Sequence, residues 1–205
     1  MMDLHTPPSH QTKENQASAF SGHLFIVSAP SGAGKSTLCL AVRRLLNDLA
    51  YSVSYTTRTP RPGEKEGIDY YFVSEEQFRR GIEEKRWAEW AEVHGHFYGS
   101  SAEWIERTLM TGRDILMDID LQGAGQMVQR FPHAVTIFIM PPSLEELERR
   151  LRKRGTEDRH DLGLRLANAK QEIEQSGICR HVIINDNLDQ ATDELVALIE
   201  RYRRK

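Results

Sequence analysis

The sequence predicts an α/β fold in which a parallel β-sheet is flanked by helices. The first observation is a set of four short apolar runs at residues 24–27, 115–119, 135–140 and 182–184. Such runs are typical of strands that are covered on both faces. The second observation is that helix-like stretches separate the runs, and alternation of strand and helix indicates parallel strands with helical crossovers. The third is a glycine-rich segment directly after the first run.

The first helix is predicted from segment 37–49, where apolar residues recur at spacings of three and four. This periodicity places them on one face, which we expect to be buried. The residues of that face are Leu38, Ala41, Val42, Leu45, Leu46 and Leu49, with Cys39 beside them.

Later helices are marked by their starts. Ser74 with Gln77, and Ser143 with Glu146, have the spacing of a capping box, in which each residue's side chain bonds the other's backbone. Asp189 is predicted to cap the last helix, which the pattern extends to Tyr202.

Composition limits the function classes. The chain has 205 residues and a formal net charge of −3, which argues against bulk electrostatic binding to nucleic acid. No apolar run approaches the roughly 20 residues of a membrane helix, and the first residues lack the pattern of a signal peptide. A chain of this length can hold a core without disulfides, so Cys39 and Cys179 are expected to be reduced thiols of a cytoplasmic protein. Residues 1–22 have few large apolar side chains and are expected to be a disordered tail.

The glycine-rich segment runs Ala-Pro-Ser-Gly-Ala-Gly-Lys-Ser over residues 29–36. It matches a phosphate-binding P-loop except that Ala29 stands where the first glycine belongs, which is acceptable if Ala29 keeps a negative φ. Gly32 and Gly34 let the backbone wrap a phosphate, and Lys35 adds a mobile positive charge. Ser36 can bind Mg²⁺. The loop alone does not separate a GTPase, an ATPase and a small-molecule kinase.

Two acids follow the second apolar run. Asp118 and Asp120 stand where the carboxyl ends of parallel strands face a ligand crevice, so we expect them near the phosphates and Mg²⁺. The alternative, a solvated strand end or a helix cap, stays open for each of them.

Two segments interrupt the alternation, and both are expected to be insertions on the sheet. One is 54–101, which begins with a strip containing Arg58 and Arg61 that Pro60 and Pro62 keep out of a helix. Arginine suits a second phosphate group because its planar fork binds phosphate oxygens in pairs. The other segment, at about 149–177, is helical and charged.

The chain resembles the guanylate kinases from about Leu24 to its C-terminus. The motifs that carry the resemblance are Ser28 to Ser36, Ser54 to Gly63, Asp69-Tyr70, Glu89-Trp90-Ala91, Tyr98-Gly99-Ser100, Asp118-Ile119-Asp120 with Gln122-Gly123, Pro141-Pro142-Ser143 and Arg154-Gly155-Thr156-Glu157. The resemblance implies transfer of the γ-phosphoryl group of ATP to GMP by a P-loop kinase core, with Mg²⁺ as cofactor.

The resemblance also implies a division of the ordered chain, 23–205. The core would comprise 23–53, 102–142 and 178–205. A mixed α+β GMP-binding insertion would span 54–101, and a helical lid would span 143–177.

Site residues follow from the same resemblance. ATP would be held by Ala29, Pro30, Ser31, Gly32, Ala33, Gly34, Lys35, Ser36, Thr37 and Asn185. GMP would be held by Ser54, Arg58, Arg61, Tyr70, Glu89, Tyr98, Ser100 and Asp120. The catalytic group would be Lys35, Arg58, Arg150, Arg154 and Arg165, with Ser36 and Asp118 at the metal.

The sequence disfavours two rival functions. A guanylate-kinase-like interaction module is disfavoured because its phosphate loop is typically degraded, whereas Gly34, Lys35 and Ser36 are intact. A kinase for another nucleoside monophosphate is disfavoured by Glu89 and Ser54, which match the donors and acceptor of guanine. GMP against dGMP, and monomer against homodimer, stay open.

Overall fold

The structure, a computed structural model, describes residues 20–93, 95–153 and 159–204. Along these residues the elements are β1 (Leu24–Ser28), α1 (Lys35–Leu45), β2 (Ala50–Tyr51), β3 (Tyr55–Thr56), β4 (Tyr71–Phe72), α2 (Glu75–Glu83), β5 (Trp87–Val93), β6 (His96–Ser101), α3 (Ala102–Met110), β7 (Ile115–Asp118), α4 (Leu121–Arg130), β8 (Val135–Met140), α5 (Leu144–Lys153), α6 (Arg159–Glu174), β9 (His181–Ile184) and α7 (Leu188–Arg203). A 3₁₀ turn, Gln175–Ile178, precedes β9.

A five-stranded parallel sheet has the order β2-β7-β1-β8-β9. β1 lies at its centre, with Phe25 paired to Leu116 of β7 and to Val135 of β8. The predicted α/β class and the four predicted strands are confirmed. The fifth strand, β2, has only two residues, too few for an apolar run to mark it.

Side chains of β1 alternate between two hydrophobic cores, as the twofold repeat of a strand requires. Phe25 and Val27 face the cluster that contains Leu38 of α1 and Leu195 of α7. On the other face, Ile26 joins a cluster formed with α3 and α4. The sheet is therefore covered on both sides, which explains why its central strands are continuously apolar.

Two local predictions are wrong. Leu45 was expected on the buried face of α1 but is 60% exposed, because the helix ends there and Leu46 takes the non-helical angles φ −109° and ψ 79°. Leu49 is buried all the same, beyond the helix. The cap of α7 is Asn187 rather than Asp189, since the Asn187 side chain accepts bonds from the backbone N–H groups of Asp189 and Gln190.

The segment that interrupts the alternation after β2 forms a second sheet, with the order β4-β3-β6-β5. β5 and β6 form an antiparallel hairpin, and α2 packs on this sheet through Phe78, whose ring stacks on Trp87 at 4.5 Å between centroids. The predicted capping box at Ser74 and Gln77 is confirmed in both directions.

Helices α5 and α6 pack against each other through the small cluster of Leu147, Leu151 and Ala169. Ser143 accepts a bond from the backbone N–H of Glu146 at the start of α5. Leu147 and Leu151 also lie close to Gly32, so the helical segment contacts the phosphate loop.

Of the expected tail, 1–22, the structure describes residues 20–22, and two of them contact the core; residues 1–19 lie outside the described residues. The ring of Phe20 packs on Phe131 at 5.9 Å between centroids, and the backbone N–H of Gly22 donates to Leu109. Phe20 is one of the few large apolar side chains of this mostly polar segment, and it packs at the edge of the core. Within the described ranges, none of the helices has the length and apolar character to cross a bilayer.

Candidate active site

The phosphate loop joins β1 to α1 and is shaped by two glycines in the left-handed region. Gly32 has φ +90° and Gly34 has φ +91°, angles that residues with a Cβ rarely adopt. Ala29 is not among the residues with positive φ, so the condition for an alanine at that position is met. Gly34 caps α1 without any side-chain bond, and the first turn holds no acid, which leaves its N–H groups to bind an anion.

The loop is supported from the far end of the sheet. Asn185, which directly follows β9, is buried and donates its amide Nδ2–H to the carbonyl of Ala33 at 2.8 Å. A Cβ on Gly34 would come within 2.5 Å of that amide nitrogen. Asn185 therefore holds the backbone of the loop. The sequence predicted a position beside ATP for this residue but not this contact with the loop.

Lys35 and Asp118 form the charged centre of the site. The Lys35 Nζ atom lies 3.4 Å from Asp118 Oδ2. The other carboxylate oxygen of Asp118 accepts a short hydrogen bond from the hydroxyl of Tyr51. Arg43 of α1 covers the ring of Tyr51 at 3.9 Å. The Asp118 carboxylate is thus held between a lysine and a phenol, at the carboxyl end of β7.

A cavity of about 520 Å³ opens in front of this centre. It is lined by residues from both sheets, so the core and the segment 54–101 form one site. Of the residues predicted from sequence, those that line it are Lys35, Ser36, Ser54, Tyr70, Glu89, Tyr98, Asp118 and Asp120.

Glu89 is the buried carboxylate of this cavity, with 5% of its surface exposed. Ser100 donates to its Oε1 atom at 2.6 Å. Burial raises the pKa of Glu89 to about 7, against the lowering effect of the Ser100 bond, and the nearby Asp120 adds to the rise. A ligand with two donors would favour the charged form of this side chain.

Contacts with α4 fix the position of Glu89. The side chain of Gln126 both accepts from the backbone N–H of Trp90, at 3.1 Å, and donates to its carbonyl, at 2.8 Å. A Cβ on Gly123 would lie 2.8 Å from Glu89 Oε2, so the carboxylate approaches the helix where glycine leaves room. Asp120 caps the same helix by accepting from the Gly123 N–H at 2.7 Å. The helix-cap alternative for Asp120 is confirmed, and the residue lines the cavity as well.

Arg58 does not line the cavity itself but contacts residues that do. Its guanidinium contacts Glu64 at 2.8 Å and lies 5.4 Å from the ring of Tyr70. Arg58 bonds the hydroxyl of Tyr98 as well, and the bond to Glu64 is the main reason that the pKa of Arg58 is raised. The same bond lowers the pKa of Glu64. Arg58, Tyr70 and Tyr98 are thus brought together as a donor group.

Other predicted residues lie outside the cavity lining. Arg61 is exposed, with its backbone N–H bonded to Glu64. Arg150 on α5 is held by Glu146 at 2.7 Å, and Arg165 is part-buried on α6. Arg154 lies outside the described residues.

Sequence reasoning missed four residues of the site: Arg43, Tyr51, Glu64 and Glu172. Glu64 could have been found, because a carboxylate six positions after Arg58 in an arginine-rich strip is a ready partner. Glu172 of α6 is half-buried, which raises its pKa, and it is close enough to Asp120 and Lys35 to interact with their charges. Tyr51 carried no signal, since nothing local predicts that β2 pairs with β7.

The described residues contain no cluster of three or more His, Cys, Asp or Glu side chains arranged to hold a metal ion. A divalent cation here would need oxygens of a bound phosphate besides the Ser36 hydroxyl and the Asp118 carboxylate, and hydroxyl, carboxylate and phosphate oxygens are the donors that Mg²⁺ prefers. The residues therefore fit a cation that arrives with a nucleotide.

Comparisons with known proteins agree with one another. The family model for guanylate kinase matches residues 21–202. A guanylate kinase of Dechloromonas aromatica is 50% identical over 178 residues, which are 87% of this chain and 88% of that protein. One of Geobacter sulfurreducens is 48% identical, with 87% and 88% covered. The crystal structure of guanylate kinase from Anaplasma phagocytophilum superposes with a TM-score of 0.75 at 35% identity, covering 91% of this chain and 88% of that one.

Proposed function

This chain belongs to the guanylate kinase family, and from that premise we propose how its residues transfer the γ-phosphoryl group of ATP to GMP. The chain is a phosphotransferase with a P-loop kinase fold. The observation that carries the assignment of residues is one cavity holding both the loop lysine, Lys35, and the buried carboxylate Glu89. We assign the first to the donor and the second to the acceptor.

Glu89 is proposed to read guanine. The N1–H and the exocyclic amine of guanine lie side by side and can donate to one carboxylate, while the Ser54 hydroxyl can donate to O6. Ser100 supports Glu89 from behind, and Asp120 stands beside it. Adenine offers a lone pair at N1, which a carboxylate repels, so this arrangement selects against AMP.

The GMP phosphate is proposed to lie against Arg58, Arg61, Tyr70 and Tyr98. Arg58 already bonds Tyr98 and faces Tyr70, so a phosphate in the cavity would meet guanidinium and phenol donors together. The carboxylate of Glu64 would have to share Arg58 with that phosphate. Arg61, whose side chain is exposed, would turn inward on binding.

ATP is proposed to bind through residues 29–37. The N-terminus of α1 faces the phosphates with backbone N–H groups and no competing cap, and Lys35 supplies a mobile charge. Asn185 shapes the loop through Ala33 and also stands near the expected place of the base. The lid arginines Arg150, Arg154 and Arg165 would close over the phosphates.

Mg²⁺ is proposed to be held by Ser36 and Asp118 together with phosphate oxygens, as the family generally uses Mg-ATP. When bound, the ion would neutralise charge on the phosphates. Tyr51 and Lys35 already fix both oxygens of Asp118, so the carboxylate is oriented before any nucleotide arrives.

The transfer itself needs no general base, because the accepting phosphate oxygen of GMP is already ionised at neutral pH. Catalysis would come from alignment of the two nucleotides and from positive charge around the transferred group, supplied by Lys35, Arg58 and the lid. Closure of the lid also has to exclude water, which would otherwise hydrolyse ATP.

ATP and GMP are the proposed partners, with dGMP as a possible second acceptor and no nucleic acid or membrane. We place the protein in the cytoplasm, where both substrates occur and where its two cysteines, both free in the described chain, would stay reduced. The oligomeric state is left to measurement.

An assay of ADP release tests the assignment with GMP, dGMP, AMP, CMP, UMP and TMP as acceptors. GMP is expected to be preferred over AMP by at least about a thousandfold, since a site built for donors rejects a ligand that lacks them. Release of ADP at equal rates with several acceptors would contradict the role of Glu89, and no release with any acceptor would favour a binding module.

The donor assignment is tested by Lys35→Ala. We expect transfer to fall by roughly a hundredfold to a thousandfold, while GMP binding is retained because the proposed acceptor contacts, apart from Asp120, lie in the segment 54–101. Lys170→Ala, which removes an exposed lysine of α6, is the matched control. Turnover of the Lys35 variant within tenfold of the parent would show that this loop is not the donor site.

A further inference from the structure

A second cavity, of about 430 Å³, adjoins the one assigned to the substrates. Arg43 and Tyr51 line both cavities and form the partition between them. The other walls come from two parts of the molecule: Trp104 and Arg113 belong to the core, whereas Tyr55 and Tyr71 belong to the second sheet. None of these four residues lines the substrate cavity.

The charge of this second cavity is opposite in character to that of the substrate cavity. Arg43 and Arg113 line it, and no carboxylate does. The substrate cavity, in contrast, is lined by five carboxylates, which are Glu64, Asp69, Glu89, Asp118 and Asp120. The acids that act on its lining residues stand outside it: Glu66 and Glu103 act on Tyr55, and Asp118, which lines the substrate cavity, acts on Tyr51. In a chain whose net charge is −3, this is a local positive site.

The positive charges of the two arginines are not neutralised by ion pairs in the part of the chain that the structure describes. Arg43 stacks on the Tyr51 ring, and neither it nor Arg113 has an ion-pair partner among the described residues. Other arginines near the core are paired: Arg203 contacts Asp114 at 2.7 Å and Arg130 contacts Glu106 at 2.7 Å. An unpaired guanidinium at a cavity wall is suited to a phosphate or carboxylate, which it can bind through two parallel bonds.

The rest of the lining is aromatic. Tyr55 and Tyr71 stack on each other with centroids 4.7 Å apart, and Trp104 is part-buried. The indole N–H of Trp104 has no hydrogen-bond partner within the part of the chain that the structure describes. Flat rings together with unpaired arginines favour a ligand that is itself flat at one end and anionic at the other.

We propose that this cavity is a second ligand site, that it binds aromatic phosphates, and that its occupation slows phosphoryl transfer. The slowing would have two physical causes. The ligand contacts the core and the second sheet together, so it holds them in their present arrangement and opposes closure. It also contacts Arg43 and Tyr51, and Tyr51 is bonded to the Asp118 carboxylate of the substrate site.

Binding is tested with phenyl phosphate as the probe, on full-length protein saturated with GMP. The indole resonance of Trp104, identified by its loss in Trp104→Phe, is followed by NMR during titration. We expect a saturable shift that GMP does not displace. Displacement in proportion to GMP would place the probe in the substrate cavity and overturn the proposal.

Two variants localise the binding. Arg113→Ala removes an arginine that lines only the second cavity, and we expect the dissociation constant to rise about tenfold, the effect of losing one charge-assisted contact. Arg107→Ala removes an exposed arginine of α3 that lines neither cavity, and we expect no change. Equal binding by the parent and the Arg113 variant would overturn the proposal.

Two simpler probes separate the ring from the charge. Inorganic phosphate and benzyl alcohol are each expected to bind at least about tenfold more weakly than phenyl phosphate, because each lacks one half of the recognition. Equal binding of benzyl alcohol would show an apolar cavity without an anion site. Equal binding of inorganic phosphate would show that the rings do not take part, and either result contradicts the aromatic phosphate.

The effect on turnover is measured at saturating ATP and GMP. We expect phenyl phosphate to lower kcat of the parent with the KM for GMP unchanged, and to leave Arg113→Ala unaffected at the same concentration. Without the probe, the variant is expected to have the turnover of the parent within twofold. A rise in the KM for GMP alone would mean competition at the substrate site and would contradict the second site, whereas the family's own reaction would stand.

Discussion

At the scale of single residues, Glu89 combines burial with a charge that its proposed ligand requires. Burial raises the pKa of its carboxyl to about 7, so the acid form dominates only below that pH. Guanine would favour the carboxylate, because both of its neighbouring groups donate. Binding of GMP is therefore expected to release a proton from Glu89 when the pH is near or below 7.

A dependence of GMP affinity on pH follows. Below pH 7 the affinity should fall by about tenfold for each pH unit, because an increasing fraction of Glu89 must lose its proton first, and above pH 8 it should level off. Calorimetry in two buffers of different ionisation enthalpy measures the released proton. Guanosine serves as the control ligand, since the GMP phosphate itself titrates near pH 6. Affinity for guanosine that stays constant between pH 5.5 and 8 would contradict the assignment.

Glu89 also links the free energy of unfolding to pH. The pKa of Glu89 is 4.5 for the ordinary group and about 7 in the fold, so the unfolded chain loses this proton at a lower pH than the folded chain. The contribution of Glu89 to the free energy of unfolding is therefore most favourable below pH 4.5 and is lost as the pH rises through 7. The total is about 3 kcal/mol for one buried group.

Glu89→Gln removes that loss, because the amide is neutral and can still accept from Ser100. At pH 8 we expect the variant to be more stable than the parent by up to about 3 kcal/mol, measured by urea unfolding, although it binds GMP more weakly. Glu92→Gln, on the same strand but exposed, is the control and should change neither property. A Glu89 variant less stable than the parent at pH 8 would show that the carboxylate is favourable where it lies.

Which residues could be found from the sequence depends on whether their partners are local. Lys35 and Ser36 follow a loop pattern within eight positions, and Glu89 belongs to a short motif. Tyr51 is 67 positions from Asp118, and no pattern predicts a bond over that distance. Asn185 was expected near ATP from its motif, but its bond to Ala33 spans 152 positions and was not foreseen.

At the scale of elements, the pairing of β2 with β7 places the Tyr51 hydroxyl where it orients the Asp118 carboxylate. Tyr51→Phe removes the hydroxyl that donates to Asp118 and leaves the ring under Arg43. We expect kcat to fall about tenfold, the effect of losing one bond to a charged group, with the KM for GMP unchanged because Glu89 is not touched. The Mg²⁺ concentration for half-maximal rate should rise.

Tyr202→Phe is the control for this change. Its hydroxyl bonds His181, away from both cavities, so loss of the bond should affect stability without affecting the response to Mg²⁺. An unchanged kcat for Tyr51→Phe would show that Asp118 needs no help from β2.

Two adjacent arginines of α5 share one partner, Glu146, but differ in exposure. The side chain of Arg150 is 24% exposed and that of Arg149 is 67% exposed. Together they lower the pKa of Glu146 to about 2. Because we propose that Arg150 reaches the transferred group, we expect Arg150→Ala to lower kcat by about a hundredfold and Arg149→Ala to lower it less than threefold. Equal loss in the two variants would show a role in pairing Glu146 only.

Elements could be predicted where their signals are long. β1, β7 and β8 are apolar because both faces of the sheet are covered there, and that pattern is visible in one sequence. β9 is apolar too, although Val182 and Ile184 are exposed at the edge of the sheet. The end of α1 was placed too late because Leu46 and Leu49 continue the spacing of three and four although the chain has left the helix. The predicted cap of α7 is wrong by two residues, because the side chains of Asn187 and Asp189 are equally suited to accept bonds from backbone N–H groups and the sequence does not distinguish them.

At the scale of the whole molecule, the proposed site residues lie on three parts: the core, the second sheet with its loops, and helices α5 and α6. Not all of these residues meet at the substrate cavity. Arg58 is paired with Glu64 and Arg150 with Glu146, and neither arginine lines the substrate cavity. The proposed transfer places both arginines near the phosphates, so we expect the second sheet and the proposed lid to approach the core. Alternation of strands and helices predicted the parallel sheet but not its order, which is set by pairings such as Leu24 with Ile115.

Closure is tested by small-angle scattering with a bisubstrate analogue in which adenosine and guanosine are joined through phosphates. We expect the radius of gyration to decrease when the analogue binds, and to change less with GMP or ATP alone, because the arginines repel one another until both sets of phosphates are present. The same analogue with Lys35→Ala is the comparison. A radius of gyration that stays constant would mean that the arginines reach the phosphates by side-chain rotation alone.

The bond from Asn185 to Ala33 has a consequence for the newly made protein. A ribosome delivers the phosphate loop among the first 36 residues, but the side chain that holds it is made 152 residues after Ala33. Asn185 in turn is placed by its backbone bond to Met140 at the end of β8. A nascent chain that has exposed the loop, the lysine and even the whole second sheet therefore still lacks the support of the loop. The ability to hold ATP is expected to appear late in synthesis, when β9 joins the sheet, so an incomplete chain would not capture nucleotide that it cannot use.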